Sequence, residues 1–283
     1  MPPHIGLIVT GPTALKDFQV FVKTLHVWHP DAQLYIYTDS ITPVSTVTSA
    51  FPNARIKVAL DIYSGKTRQH MEALPGTRYK HLFTDYTFEK AAVIEWMFQE
   101  TPSLASSQGA WFLDADISIL GQLPSIPSTA TLALSPHYIR PRDESLYGHY
   151  NAGFLWMKDS RFIEPWRTAG HTSRFFEQAP LESIATQAGS GLYEFPIQVN
   201  FGWWRMFQGT ASSAEIQAKF SFSRADTGSI GIRYDGVPLQ SIHTHWYQRD
   251  RSITTVFNMW FNDLLTKFQS HPPINTFKRN IVV

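Results

Sequence analysis

The first 120 residues alternate two periodicities, and nothing else in the chain restricts its fold as much. "HIGLIVT" (4–10) is an apolar run of strand length, ended by Gly11-Pro12. Residues 13–27 then carry Leu15, Phe18, Phe21, Val22 and Leu25 at helical spacing. "QLYIYT" (33–38) alternates as a strand and stops at Asp39-Ser40, and "RIKVAL" (55–60) reads as a third strand. Residues 87–100 place Ala91, Ile94 and Phe98 on one helix face and lead into the strand "AWFLD". Such alternation predicts an α/β fold, a mainly parallel sheet with helices on both faces.

The second half is less regular. "TLALS" (131–135) and "GFLWM" (153–157) predict strands around a polar, proline-bearing loop over 135–150. Helical character returns over about 160–188, and "SIHTHW" (241–246) reads as a short strand. A last helix over 253–268 sets Val256, Phe257, Trp260, Phe261, Leu264, Leu265 and Phe268 at i, i+3, i+4 spacing. With a single lysine on its polar face, that helix is expected to pack on the core, not to lie on a membrane. No repeat or linker divides residues 1–283, so one domain is expected.

Composition removes several function classes. A hydrophobic content of 43% with 17% charged residues describes a folded chain, and a net charge of +1 offers no basic field for nucleic acid. The absence of cysteine excludes disulfides, thiolate metal sites and a cysteine nucleophile. No apolar run approaches the length of a transmembrane segment. "MPPHIGLIVTG" lacks the basic start and the apolar length of a signal peptide. The compartment stays open on these grounds, with the cytoplasm favoured.

"AWFLDADISIL" (110–120) holds two carboxylates, Asp114 and Asp116, separated by Ala115 at the end of an apolar strand. In extended chain both point to one side. At ~5 Å and an effective dielectric of ~20 they repel by about 3 kcal/mol, which protonation, hydrogen bonds or a cation must relieve. Ligands of parallel sheets gather beyond the carboxyl ends of strands, where Asp39, Thr10 and Gly11 are also expected. A divalent ion shared with a diphosphate would relieve the repulsion, and an imidazole in the set suits Mn²⁺ better than Mg²⁺.

Three stretches taken together, "WFLDADISIL", "YNAGFLWMKD" (150–159) and "SIHTHW", resemble nucleotide-diphospho-sugar transferases of the GT-A fold. The likeness is greatest to the branch of glycogenin and the bacterial galactosyltransferases, and it runs from the first strand to about residue 250. It implies a Rossmann-like mixed sheet and a metal held by Asp114, Asp116 and His243. It also implies a nucleotide-sugar donor, a UDP-sugar, and a glycan or other hydroxyl acceptor. About 1–120 would form the nucleotide and metal half, and about 121–283 the acceptor half. Two departures stand out. "HTHWYQRDR" lacks the family's glycine and Lys-Pro-Trp continuation, and "FFEQAPLE" carries Glu177 where aspartate is commoner.

Further candidates follow from chemistry and from this likeness. His243 and His245 alternate on one strand; the likeness favours His243 as the ligand, with His245 behind it or facing a phosphate. Arg249 and Arg251 are placed to fold over a diphosphate or to be solvated loop charges. Asp39 can accept a uracil imide hydrogen, with Gly11 and Thr10 beside it, although turn chemistry explains these residues as well. The likeness suggests that Lys90 reaches the donor; a solvated helix lysine is the alternative. Asn151 precedes two small residues that leave room for a sugar ring. Glu177 and Gln178 are the catalytic candidates, on an expected helix with Glu182, and Asp143 and Glu144 stand next. Asn200, Trp203, Trp204 and Arg205 offer stacking faces and hydroxyl partners, or core, with one tryptophan expected to be exposed. Two rival functions are a sugar-binding module without turnover and a haloacid dehalogenase type phosphatase. The phosphatase requires its Asp-x-Asp near the chain start and a later acidic pair, and this chain has neither.

Overall fold

A computed structural model describes residues 1–247 and 253–281. The chain runs through β1 (His4–Val9), α1 (Gly11–Trp28), β2 (Gln33–Thr38), β3 (Arg55–Val58), α2 (Arg68–Ala73), α3 (Leu82–Glu100), β4 (Ala110–Leu113) and β5 (Ile117–Ile119). It continues through β6 (Leu132–Pro136), α4 (Pro141–Tyr147), β7 (Tyr150–Met157), α5 (Ile163–Gly170), α6 (Leu181–Ala188), β8 (Leu192–Glu194), β9 (Phe201–Gly202), α7 (Trp203–Phe207) and α8 (Ser213–Ala218). The last elements are β10 (Phe220–Phe222), β11 (Ile232–Tyr234), β12 (Val237–Pro238), β13 (Ser241–His243), α9 (Ile253–Lys267) and α10 (Pro272–Ile281).

Seven strands form the main sheet in the order β3-β2-β1-β4-β7-β6-β8. Strands β3, β2, β1 and β4 are parallel, β7 runs against β4 and β6, and β8 is parallel to β6. Alternation along each strand supplies both faces. Ile5, Leu7, Trp111, Leu113, Phe154 and Trp156 pack with Phe18 and Phe21 of α1. Ile8, Phe112, Leu155 and Met157 face the other way, toward α3, α5 and α6. Gly6 of β1 lies where any Cβ would meet Val93 and Met97, so a bare backbone lets α3 settle against the sheet. This is the mainly parallel mixed sheet, helices on both faces, that the periodicities predict.

A second sheet orders β5-β13-β9, with His243 opposite Ile117 and beside Gly202. It ties the late histidine strand to the segment that follows Asp116. Its outer side carries a third apolar cluster, in which Phe257, Phe261 and Leu265 of α9 are buried with Ile274 and Phe277 of α10. Helix α9 therefore packs on the core. Among the described residues, no helix is long and apolar enough to cross a membrane.

Several element boundaries differ from the sequence expectation. The loop over 135–150 contains α4, with Pro141 in its first turn and Gly148 as its C-cap at φ 93°. Pro141 starts a helix instead of marking a loop, while Pro136 ends β6. The helical stretch over 160–188 is broken, because residues 171–180 form turns between α5 and α6. Glu177 and Gln178 therefore sit in a turn, and Glu182 in the first turn of α6. Helix α3 begins at Leu82, five residues before 87, and β3 stops at Val58. Helix α10 was not anticipated at all.

Candidate metal and donor site

Asp114 and Asp116 lie in the turn between β4 and β5, not in extended chain. The Ile117 N–H donates to the Asp114 carbonyl (3.2 Å), the Asp114 N–H to the Gly153 carbonyl (2.8 Å) and the Thr244 N–H to the Asp116 carbonyl (3.1 Å). The turn is thus held by β7 on one side and by the end of β13 on the other. Both carboxylates still converge. Asp114, Asp116 and His243 each offer a ligand atom, all within 4.8 Å of one another, and the cluster could coordinate a divalent ion. Gly153 keeps the place open, since any Cβ there would run into the Asp114 carboxylate and the His243 ring. The Trp204 ring stands edge-on to His243 at 5.1 Å.

The repulsion between the two aspartates is relieved unequally. Asp114 receives the Lys90 ammonium, with Nζ 3.0 Å from Oδ1 and 3.1 Å from Oδ2. The same ammonium reaches Glu177 Oε1 at 2.9 Å, and Lys90 and Glu177 are both 6% exposed. Lys90 is thus a buried bridge and not a solvated helix lysine. Burial would depress its pKa, but Asp114 and Glu177 together raise it, so it stays charged. Burial pushes the Asp114 pKa up, against the pull of Lys90.

Asp116 faces two imidazoles instead. His243 Nε2 lies 3.1 Å from Oδ1, and His245 Nε2 lies 3.1 Å from Oδ2. Burial would raise the Asp116 pKa, yet the two rings outweigh it and hold the carboxyl well below the usual range. The Asp116 carboxylate raises His245 to about 9 against the cost of burial, and Asp17 adds to the rise. Asp17, on α1, is 2% exposed and was missed by sequence reasoning. Its Oδ2 lies 3.4 Å from His245 Nδ1, and its Oδ1 accepts the Trp246 N–H at 3.0 Å. The available signal was a lone aspartate at i, i+3, i+4 spacing to Val20 and Phe21, on the buried stripe of α1.

A cleft of about 600 Å³ opens here, lined by Thr10, Lys90, Asp114, Ala115, Asp116, Asn151, Glu177, Gln178, His243 and His245 among others. Sequence reasoning also missed Thr13, Lys66, Arg68, Tyr86 and Phe176 in that lining. The Thr10 hydroxyl bonds the hydroxyl of the half-buried Tyr86 (3.1 Å). Gly11 and Asp39 stand beside the cleft and not in its lining. The Gly11 N–H donates to the Thr42 hydroxyl (2.8 Å), and Asp39 is 1% exposed with Oδ1 accepting the Thr42 N–H (2.7 Å). Arg249 and Arg251 lie outside the described residues.

Behind the cleft runs a chain of buried amides. Asn200 Nδ2 donates to Asn151 Oδ1 (3.0 Å), Asn151 Nδ2 to Gln178 Oε1 (3.4 Å) and Gln178 Nε2 to the Tyr147 carbonyl (2.7 Å). Asn200 is therefore a support, not a hydroxyl-binding surface. Arg205, 2% exposed, spends its guanidinium on the carbonyls of Pro136, His137 and Asn200. Trp204 is buried and Trp203 half-buried, so neither offers an open stacking face. Asp143 is buried and paired with Arg140 (2.6 Å), while Glu182 pairs with Arg174 (2.6 Å) and Glu144 contacts His149 (3.2 Å).

No family model and no curated protein sequence matches the chain. Solved structures do match. The galactosyltransferase LgtC, in complex with donor and acceptor sugar analogs, aligns over 92% of this chain and 94% of its own, with a TM-score of 0.54 at 13% identity. The WbbM bifunctional glycosyltransferase aligns over 99% of this chain and 52% of its own, with a TM-score of 0.53 at 10% identity. The glycosyltransferase GlyE of Streptococcus pneumoniae TIGR4 aligns over 93% and 64%, with a TM-score of 0.50 at 13% identity. At these identities the likeness is one of fold: the chain has the Rossmann-like architecture of GT-A glycosyltransferases.

Proposed function

We propose that this chain is a divalent-metal-dependent glycosyltransferase that moves a sugar from a nucleotide-diphosphate donor, a UDP-sugar, to a hydroxyl of a glycan or other acceptor. The supporting observation is the convergence of Asp114, Asp116 and His243 beside the carboxyl end of β4, in a fold shared with glycosyltransferases. Two carboxylates and one imidazole suit Mn²⁺ or Mg²⁺, and the bare backbone of Gly153 lets the Asp114 carboxylate and the His243 ring come together. Such an ion supplies Lewis-acid neutralisation of the charge that develops on the diphosphate.

The protein's own groups do the rest. Lys90 adds a fixed cation between the metal carboxylate Asp114 and the sugar side. The nucleoside lies over Thr10 and Thr13, and Asp39, buried outside the cleft lining, reads the base only after a local opening. Asn151, held by Asn200, presents its amide to the donor sugar. When the glycosidic C–O bond breaks, its electron pair stays on the phosphate oxygen and the acceptor oxygen bonds to the anomeric carbon. In an inverting course Glu177 takes the acceptor proton; in a retaining course Glu177 or Gln178 steadies positive charge on the opposite face and the departing phosphate oxygen takes the acceptor proton. About 1–120 then serve nucleotide and metal, and about 121–283 shape the acceptor side.

A thermal-shift panel of nucleotide sugars with and without Mn²⁺ tests this. A true donor at ~100 times its dissociation constant adds about 2.7 kcal/mol, and only with the metal present. Release of nucleotide from that donor then separates an enzyme from a binding module. If no nucleotide sugar shifts the transition, the reading is wrong.

A further inference from the structure

The second histidine of "SIHTHW" and the buried Asp17 have no part in the transfer as described so far. His245 spans two carboxylates: Nε2 sits 3.1 Å from Asp116 Oδ2, and Nδ1 sits 3.4 Å from Asp17 Oδ2. It lies outside the group whose ligand atoms fall within 4.8 Å of one another. It therefore stands on the far side of the Asp116 carboxylate from His243, which takes Oδ1 at 3.1 Å.

The surroundings fix this ring firmly. Asp17 comes from α1, where it is 2% exposed, and it also accepts the Trp246 N–H at 3.0 Å. Asn258 of α9 donates to the His245 carbonyl at 2.7 Å and accepts the Thr244 hydroxyl. Two helices distant in sequence thus clamp the residues on either side of the imidazole. A buried carboxylate is costly unless its oxygens are hydrogen-bonded, and Asp17 spends its own on the backbone of Trp246 and Tyr247 and on the His245 ring.

Resting on the glycosyltransferase reading, we infer that Asp17 and His245 are a positioning pair for the metal ligand Asp116. His245 occupies Oδ2, which leaves Oδ1 as the single oxygen offered to the ion beside His243. Asp17 holds the imidazole so that Nε2, and not the ring edge, meets Asp116. Outer groups that orient a metal ligand typically change metal affinity about 10–100-fold when removed. The pair belongs to this chain's departure from the family's histidine motif, in which "HTHW" replaces the glycine-bearing continuation.

The test is calorimetric titration of Mn²⁺ alone into the intact protein, with no donor present, together with the EPR spectrum of the bound ion. His245→Gln and Asp17→Asn should each weaken Mn²⁺ binding about 10–100-fold and alter the spectrum, and the double variant should be no weaker than the worse single one. The melting temperature of the metal-free proteins reports folding. If Asp17→Asn does not fold, His245→Gln, at a half-exposed position, carries the test alone. Wild-type Mn²⁺ affinity and spectrum in His245→Gln overturn the inference. So does weakening in Asp17→Asn alone, which would confine Asp17 to the Trp246 N–H. Asp114→Ala is the control: if it too binds Mn²⁺ like the wild type, the metal site itself, and not only its positioning pair, is misassigned.

Discussion

The two aspartates of the β4–β5 turn are two residues apart, yet the protein surrounds them differently. Asp114 meets a lysine that is sealed from water and shared with Glu177. Asp116 meets two imidazoles, one of them half-exposed. The first flank carries a charge that cannot leave at any ordinary pH, and the second carries one that can. An ion held by His243 requires that ring to be neutral, while the lysine side stays unchanged. The lysine flank thus suits a permanent role at the junction of phosphate and sugar, and the imidazole flank suits a site that fills and empties.

Removing the lysine should have the largest effect on the protein itself. Lys90→Met leaves Asp114 and Glu177 buried without their shared cation, a change that costs about 3–5 kcal/mol. Thermal or denaturant unfolding of the metal-free protein measures it, and added Mn²⁺ should recover part of the loss through Asp114. Unchanged stability would erase the distinction between the flanks. Asp116→Ala should be mild by the same measure, because the His245 ring it abandons can shed its proton. Its Mn²⁺ affinity should nevertheless fall at least about 100-fold by calorimetry, beyond what outer groups contribute.

Glu177→Gln sharpens the comparison from the sugar side. Turnover should drop about 100-fold, within the range for loss of a general base, with donor affinity little changed. Steady-state kinetics with the donor identified above would show it. An unaltered kcat would leave Glu177 as the counter-ion of Lys90 and nothing more.

The smallest effect should be in pH. His245 is raised to about 9 in the folded protein from an ordinary value of 6.5. A raised imidazole stabilises fully below 6.5, and that contribution fades as pH rises through about 9. Half of the ring reaches solvent, so the loss should be only about 1 kcal/mol in the metal-free protein. Melting curves from pH 6.5 to 9 would reveal it. His245→Gln should flatten the trend.

These flanks also show what a sequence can and cannot disclose. Strands β1, β2 and β4 and the Asp-x-Asp pair were legible because each is a local pattern, whereas His243 stood out from His245 only through the likeness to a family. Lys90 was ambiguous: α3 is buried on nearly every side, including Thr87, Lys90 and Val93, and reading one apolar face left a solvated lysine open as the alternative. Asp17 was invisible because its partner lies 228 residues away and no local spacing records the meeting. Asn200 and Arg205 suggested a polar surface, but the Asn200 Nδ2 and the Arg205 guanidinium are turned to groups of β6 and β7 inside the core. Helices α4 and α10 open on prolines, which work equally well as helix starts and as loop markers.

The most direct test of the account is donor binding as a function of metal. UDP-sugar binding to the wild-type protein, followed by calorimetry, should be readily measured with Mn²⁺ present. It should fall at least about 100-fold in excess chelator, and Asp116→Ala should bind as weakly with the metal as the wild type does without it. Full donor affinity in chelator, or an Asp116→Ala protein that binds donor like the wild type, would contradict a metal-bridged diphosphate at this turn.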